Sequence, residues 1–263
     1  LYAADYFPMA VDNFDAEGGK GYANVPWPKD DPRFYSFLAE PEPIELEETA
    51  DMNKMQAGID FLRSRKKDDK PFVLFLPTSM PHPTYVCPQP YYDMYDPADI
   101  PPLRPAELPD KPDYFSLIRQ YRNLENMPPE QFAKIQAVYL GMNSYVDWML
   151  GQLLDTLDET GLADETTVIC TSDHGDWAGD YGLVEKWPSG LDDCLTRVPL
   201  LMRSPGNEGG HVVREQVEWF DIMATMLDLA GVEAEHVHFA QSLRDQLGGA
   251  PGDDELQVDS RVV

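Results

Sequence analysis

Residues Thr166–Trp187 read TTVICTSDHGDWAGDYGLVEKW. The first six, Thr166–Thr171, are β-branched or otherwise strand-favouring, and the run stops abruptly at Ser172-Asp173-His174-Gly175. A buried strand that ends in a carboxylate beside an imidazole, on a glycine-bearing loop, has the layout of an open α/β sheet, where ligands gather at the carboxyl ends of strands.

The flanking sequence supports that class. Upstream, Pro128-Pro129 opens a long helix to about Thr160. In it Phe132, Ile135, Tyr139, Met142, Val146, Met149, Leu153 and Leu157 recur three or four apart, and Gly161 stands where a helix ends. Downstream, Val198–Met202 reads as a second strand, and Val217–Ala230 as a helix that stops at Gly231. Nearer the start, Thr49 is an N-cap candidate for a helix carrying Met52, Met55, Ile59 and Leu62 on one stripe, followed by an apolar strand at Phe72–Leu76. Helix, short loop and buried strand in that order are a unit of an α/β fold. The stretch after this strand, from Pro77 to about Asp113, holds many of the chain's 24 prolines and reads as a long ordered loop. Leu1 to about Glu48 has no sustained periodicity. It is expected to be an irregular Pro/Gly-rich segment packed on an α/β domain that spans residues 49–263, with "GGAPGDDELQ" near the end as a loop.

The 263 residues are 43% hydrophobic, enough for a real core. Their 47 acidic and 20 basic side chains give a net charge of −27, which disfavours nucleic acid and anionic lipid as partners, since both present phosphates. The densest apolar run, Pro71–Pro77, is strand-length, so no membrane span is expected. The three cysteines, Cys87, Cys170 and Cys194, are odd in number and form no C-x-x-C pair, which favours a reducing compartment such as the cytoplasm. Oligomeric state is left open.

An ionised Asp173 beside a neutral His174 suits a divalent cation: hard oxygen for Ca²⁺, Mg²⁺ or Mn²⁺, nitrogen for Mn²⁺ or Zn²⁺. An isolated D-H-G is more often an Asp-Gly turn with a surface histidine. Lys186 is an ordinary solvated lysine unless it faces the same site, where it would hold an anion. His82, between Pro81 and Pro83, is either a histidine packed among tyrosines or a second such cation, and spacing alone leaves both open. Arg197 reads as a structural tie, Asp192-Asp193 as a solvated pair, and His211, His236 and His238 as exposed and without a role.

Taken together, S-D-H-G-D at Ser172–Asp176, G-L-x-x-K at Gly182–Lys186 and x-R-V-P at Thr196–Pro199 resemble the signature of the sulfatase family, in the alkaline phosphatase-like superfamily. "PFVLFLPTSMPHPTY", "YLGMNSYVDWMLGQLLDTLDETGLADET" and "VEWFDIMATMLDLAGVE" fit the same order, and the resemblance runs from roughly residue 45 to residue 245. It implies a mostly parallel sheet flanked by helices, with one divalent metal, commonly Ca²⁺, at its carboxyl edge. It carries over Asp173 and His174 as metal ligands, and His82 and Lys186 as the cations that grip the sulfate oxygens. The implied substrate is a sulfated small molecule or carbohydrate.

One departure accompanies the resemblance. The family's nucleophile is a cysteine or serine in C/S-x-P/A-x-R, matured to formylglycine in sulfatases, and none of the three cysteines has an arginine four residues on. The Asp-Asp pair that ends the family's first strand is also missing. The expectation is therefore a sulfatase domain lacking its N-terminal portion: half a metal site, with the isolated chain inactive. Alternatives are a phosphonate or phosphate ester hydrolase of the same superfamily, and a non-catalytic fragment or pseudoenzyme that binds a partner.

Overall fold

Thr49 starts the first long helix, α1 (Ala50–Ser64), in the computed structural model of the chain, which describes residues 26–41, 43–66, 69–187, 190–207 and 209–247. Its hydroxyl oxygen accepts the Met52 N–H at 3.0 Å, satisfying one of the amides that a helix start leaves without a partner. The same hydroxyl lies 2.6 Å from the Tyr145 hydroxyl, which itself donates to the Leu46 carbonyl, so Thr49 is the donor to Tyr145. Met52, Met55, Ile59 and Leu62 are buried as their spacing requires, and α1 packs along α3. A short helix, α2 (Tyr114–Tyr121), follows the proline-rich loop, and α3 (Pro129–Thr160) is the long helix expected after Pro128, closed by Gly161 at φ 70°. Ile135, Met142, Met149 and Leu157 are its buried stripe. The proline-rich loop is ordered through short 3₁₀ turns at Tyr91–Asp93 and Pro97–Asp99.

The chain divides into two units. Of the described residues, a helical unit takes those from Pro26 to Thr160 together with Asp176–Glu185, and a strand unit takes Gly161–Gly175 and those from Lys186 to Leu247. The strand unit contains β1 (Val168–Thr171), α4 (Asp193–Thr196), β2 (Leu200–Arg203), α5 (Asp221–Leu229) and α6 (Arg244–Leu247). β1 and β2 pair antiparallel, with Val168 opposite Arg203 and Thr171 opposite Leu200. Val198, Val217 and Leu243 form its core, with Leu200 and Met202 packed on them. The buried Asp221 carboxylate accepts the Glu218 and Gln241 amides, tying the start of α5 to the segment before α6.

Two expectations are adjusted. Among the described residues the sheet is this one antiparallel pair, and the parallel contact present is a single bridge between Leu38 and Tyr85. Phe72–Leu76 pairs with no strand among the described residues, and a strand requires a neighbour to receive its amides. Its alternation survives. Phe72 packs edge-on against Phe61 at 5.1 Å, and Leu76 fills the space over Gly58, where a Cβ would come within 2.7 Å of it. Val73 and Phe75 point the other way and are 58% and 74% exposed. Residues 1–25 of the expected irregular segment, and the GGAPGDDELQ loop, lie outside the described residues.

Candidate functional site

β1 ends at Thr171, and the loop that follows is sewn to α4. The Gly175 N–H donates to the Leu195 carbonyl at 2.7 Å, and a Cβ at Gly175 would fall on the carbonyl oxygen of Cys194. Only glycine allows that approach. The Ser172 hydroxyl donates to the His174 carbonyl at 2.7 Å and tightens the turn between them.

Within this turn Asp173 and His174 lie together. Consecutive side chains point to opposite faces of a strand, so both can turn one way only because the strand has ended. Asp173 Oδ1 stands 3.8 Å from His174 Nε2, too far for a hydrogen bond yet close enough for one ion to reach both atoms. The His174 Nδ1 atom is 2.7 Å from the Gly175 carbonyl. A carbonyl can only accept, so Nδ1 carries the hydrogen and Nε2 of the neutral ring keeps its lone pair. That is the arrangement of a metal-ligating histidine, whose other nitrogen is anchored by a carbonyl or carboxylate. The donor chemistry fits a divalent cation, but the set is short: among the described residues no group of three or more His, Cys, Asp or Glu side chains is placed to hold one.

Lys186, half-buried, is the residue at which the chain re-enters the strand unit. The ten residues before it belong to the helical unit and are clamped there. Tyr85, fully buried, donates its hydroxyl to Asp176 Oδ1 at 2.7 Å and accepts the Glu185 N–H at 2.8 Å. Burial, and then the Asp176 charge, push the Tyr85 phenol well above its ordinary pKa, so it remains a donor. The Asp176 carboxylate also accepts the Ala178 N–H at 2.7 Å. Arg122, buried, donates to the Val184 carbonyl at 3.2 Å and to the Glu185 carboxylate at 2.7 Å. Glu185 itself sits at φ 63°, a left-handed conformation that costs a non-glycine residue energy and persists because its surroundings impose it.

His82 is exposed and belongs to the helical unit. Its backbone closes a turn, N–H to the Ser79 carbonyl at 2.9 Å, and its Nδ1 donates to the Pro83 carbonyl at 2.6 Å. Two clefts of about 390 Å³ in this unit, one bordered by Trp27, Tyr92 and Lys134 and the other by Leu103, Arg104 and Phe132, do not include it. Sequence reading missed Tyr85, Arg122, Asp176 and Asp51. The signal available was the second Asp of S-D-H-G-D, together with arginines in a strongly acidic chain, each able to find a carboxylate partner.

Comparison with known proteins adds to this geometry. The Sulfatase family model matches residues 5–232, which extends well upstream of the motifs. A multifunctional alkaline phosphatase superfamily protein (PehA) of Trinickia caryophylli is 32% identical over 217 residues, covering 75% of this chain and 41% of that protein. An arylsulfatase of Clostridium perfringens is 32% identical over 194 residues, covering 72% of this chain and 40% of its own length. Among solved structures, a phosphonate monoester hydrolase from Silicibacter pomeroyi superposes with a TM-score of 0.70 at 29% identity, over 95% of this chain and 51% of that one. The chain thus spans about half the length, or less, of the proteins it matches.

Proposed function

Because the chain belongs to the sulfatase family and has its alkaline phosphatase-like α/β fold, we propose that it supplies part of the site of a hydrolase that cleaves sulfate monoesters of small molecules or carbohydrates. Asp173 and His174 would hold a divalent cation, Ca²⁺ first and Mg²⁺ or Mn²⁺ as alternatives. Bound there, the cation would supply positive charge for an ester oxygen. Lys186, and His82 when it carries both ring protons, would add charge of their own. As the S–O bond breaks, negative charge grows on the oxygens, and preplaced cations stabilise that state more than the ground state. With Nδ1 committed to Pro83, His82 donates through Nε2 only as the imidazolium. The covalent step needs a nucleophile. The 263 residues contain no C/S-x-P/A-x-R segment, so the chain alone is expected to turn nothing over.

The observation that carries this reading is the Asp173–His174 pair at the end of β1, with Nδ1 anchored so that Nε2 keeps its lone pair. The likeness to a phosphonate monoester hydrolase supports a second reading, hydrolysis of phosphonate or phosphate esters at the same residues. The test compares 4-nitrophenyl sulfate with a 4-nitrophenyl phosphonate monoester, on the purified chain and on a longer form carrying the nucleophile segment. The purified chain should be silent. The longer form should prefer the sulfate, and Lys186→Ala should lower its kcat/KM by about 10²–10³, the scale for losing one preorganised stabiliser of developing charge. Turnover by the 263 residues that disappears in His82→Ala would overturn the inactivity. Unchanged kinetics in Lys186→Ala would return that residue to solvent.

A further inference from the structure

Asp51 lies in the first turn of α1 and is 3% exposed, yet it does not cap its own helix, which Thr49 does. Its carboxylate turns outward to another segment. Both oxygens accept the Ser79 N–H, at 3.0 and 2.8 Å, and Oδ2 also accepts the Met80 N–H at 2.8 Å. Lys54, 5% exposed, donates to Asp51 Oδ1 at 2.8 Å and to the Ser79 hydroxyl at 3.2 Å. Ser79 is also the residue whose carbonyl accepts the His82 N–H. The far end of the same loop is fixed by the Tyr85 N–H on the Phe37 carbonyl at 2.8 Å.

A buried ion pair contributes little net stability compared with an apolar replacement, because desolvation offsets its attraction. What the Asp51 carboxylate adds is geometric: two consecutive amides held on one rigid helix, one turn ahead of an exposed imidazole flanked by prolines. We propose that Asp51, with Lys54 as its counter-charge, is the positioning residue for His82, fixing the turn that presents the ring to a tetrahedral oxyanion. The proposal rests on the reading of His82 given above.

The experiment uses the 263-residue chain labelled with ¹³C-histidine, with the His82 Cε1–Hε1 signal assigned through His82→Ala and followed as inorganic sulfate is added. Asp51→Asn removes the charge and one acceptor. Asp51→Asn/Lys54→Met does so without stranding the lysine, so that it folds where the single variant fails. Thr49→Ala is the stability control: it removes the cap of the same helix and the hydrogen bond to Tyr145, at a cost of about 2 kcal/mol, without touching the turn. In both Asp51 variants the His82 signal should move toward the free-histidine position and its sulfate response should weaken about tenfold or more, since small misplacements of a binding group cost that much. Thr49→Ala should leave both unchanged. An Asp51 double variant whose His82 signal matches wild type, or a Thr49→Ala chain that loses it equally, overturns the positioning role. A wild-type His82 signal that ignores sulfate while still responding to Asp51 sinks the oxyanion reading alone.

Discussion

Removing one oxygen atom from the centre of the helical unit should be costly. Tyr85→Phe deletes a hydroxyl that donates to Asp176 and accepts from the Glu185 amide, at a residue with no exposure. A hydrogen bond to a charged group contributes about 1.5–3 kcal/mol, and a buried donor left unmade costs about 1–3 kcal/mol more. Asp176 keeps the Ala178 amide, so the lower half of the combined range applies, about 3 kcal/mol. Tyr95→Phe is the internal comparison. Among the described residues its hydroxyl meets only the Ser144 hydroxyl, at 2.8 Å in a half-buried setting, and its loss should cost about 1 kcal/mol or less. Urea unfolding of both variants against wild type gives the two differences, and amide exchange locates them. In Tyr85→Phe the Trp177 and Glu185 amides, which close the excursion before Lys186, should lose protection first. A Tyr85→Phe chain that loses no more stability than Tyr95→Phe, with the Glu185 amide still protected, would refute the reasoning that a buried tyrosine clamps this loop.

Two glycines should respond in opposite directions. Gly175→Ala drives a Cβ into the Cys194 carbonyl and should cost about 1–3 kcal/mol as an overpacked site. Gly151→Ala, in the interior of α3 with no described atom within 4 Å of the new methyl, should stabilise by about 1 kcal/mol through helix propensity; thermal unfolding reads both. Amides of Val73, Leu74, Phe75 and Leu76 bond to no acceptor among the described residues, so hydrogen exchange there should run near the unprotected rate. Protection at these four positions would mean that the segment has found a strand partner.

The fold class was legible because periodicity survives without neighbours. The stripe of α3, the Thr49 cap and the end of β1 are each decided within a few residues, and each stands where its pattern puts it. Strand pairing is not local. Phe72–Leu76 carries every sign of a buried strand, but whether it joins a ladder depends on chain far away, and no sequence window contains that information. The site divides in the same way. Asp173 and His174 are adjacent, so their convergence follows from the strand ending between Thr171 and Gly175. Asp51 and Ser79, or Tyr85 and Asp176, are far apart in sequence, and their bonds belong to the tertiary structure. An aspartate in the first turn of a helix reads as a solvated charge until the loop that it holds is seen.

The central claim is that Asp173 and His174 are the two ligands this chain contributes to a divalent cation. It is tested most directly by titrating the purified 263-residue chain with Ca²⁺ while following the His174 ring resonances and the heat of binding. Two protein ligands are far fewer than the six to eight oxygens calcium takes, so binding should be weak, about 1 mM or weaker. It should move the His174 signal and vanish in Asp173→Asn. Calcium that binds as well to Asp173→Asn, or that leaves the His174 signal where it was, would contradict the claim.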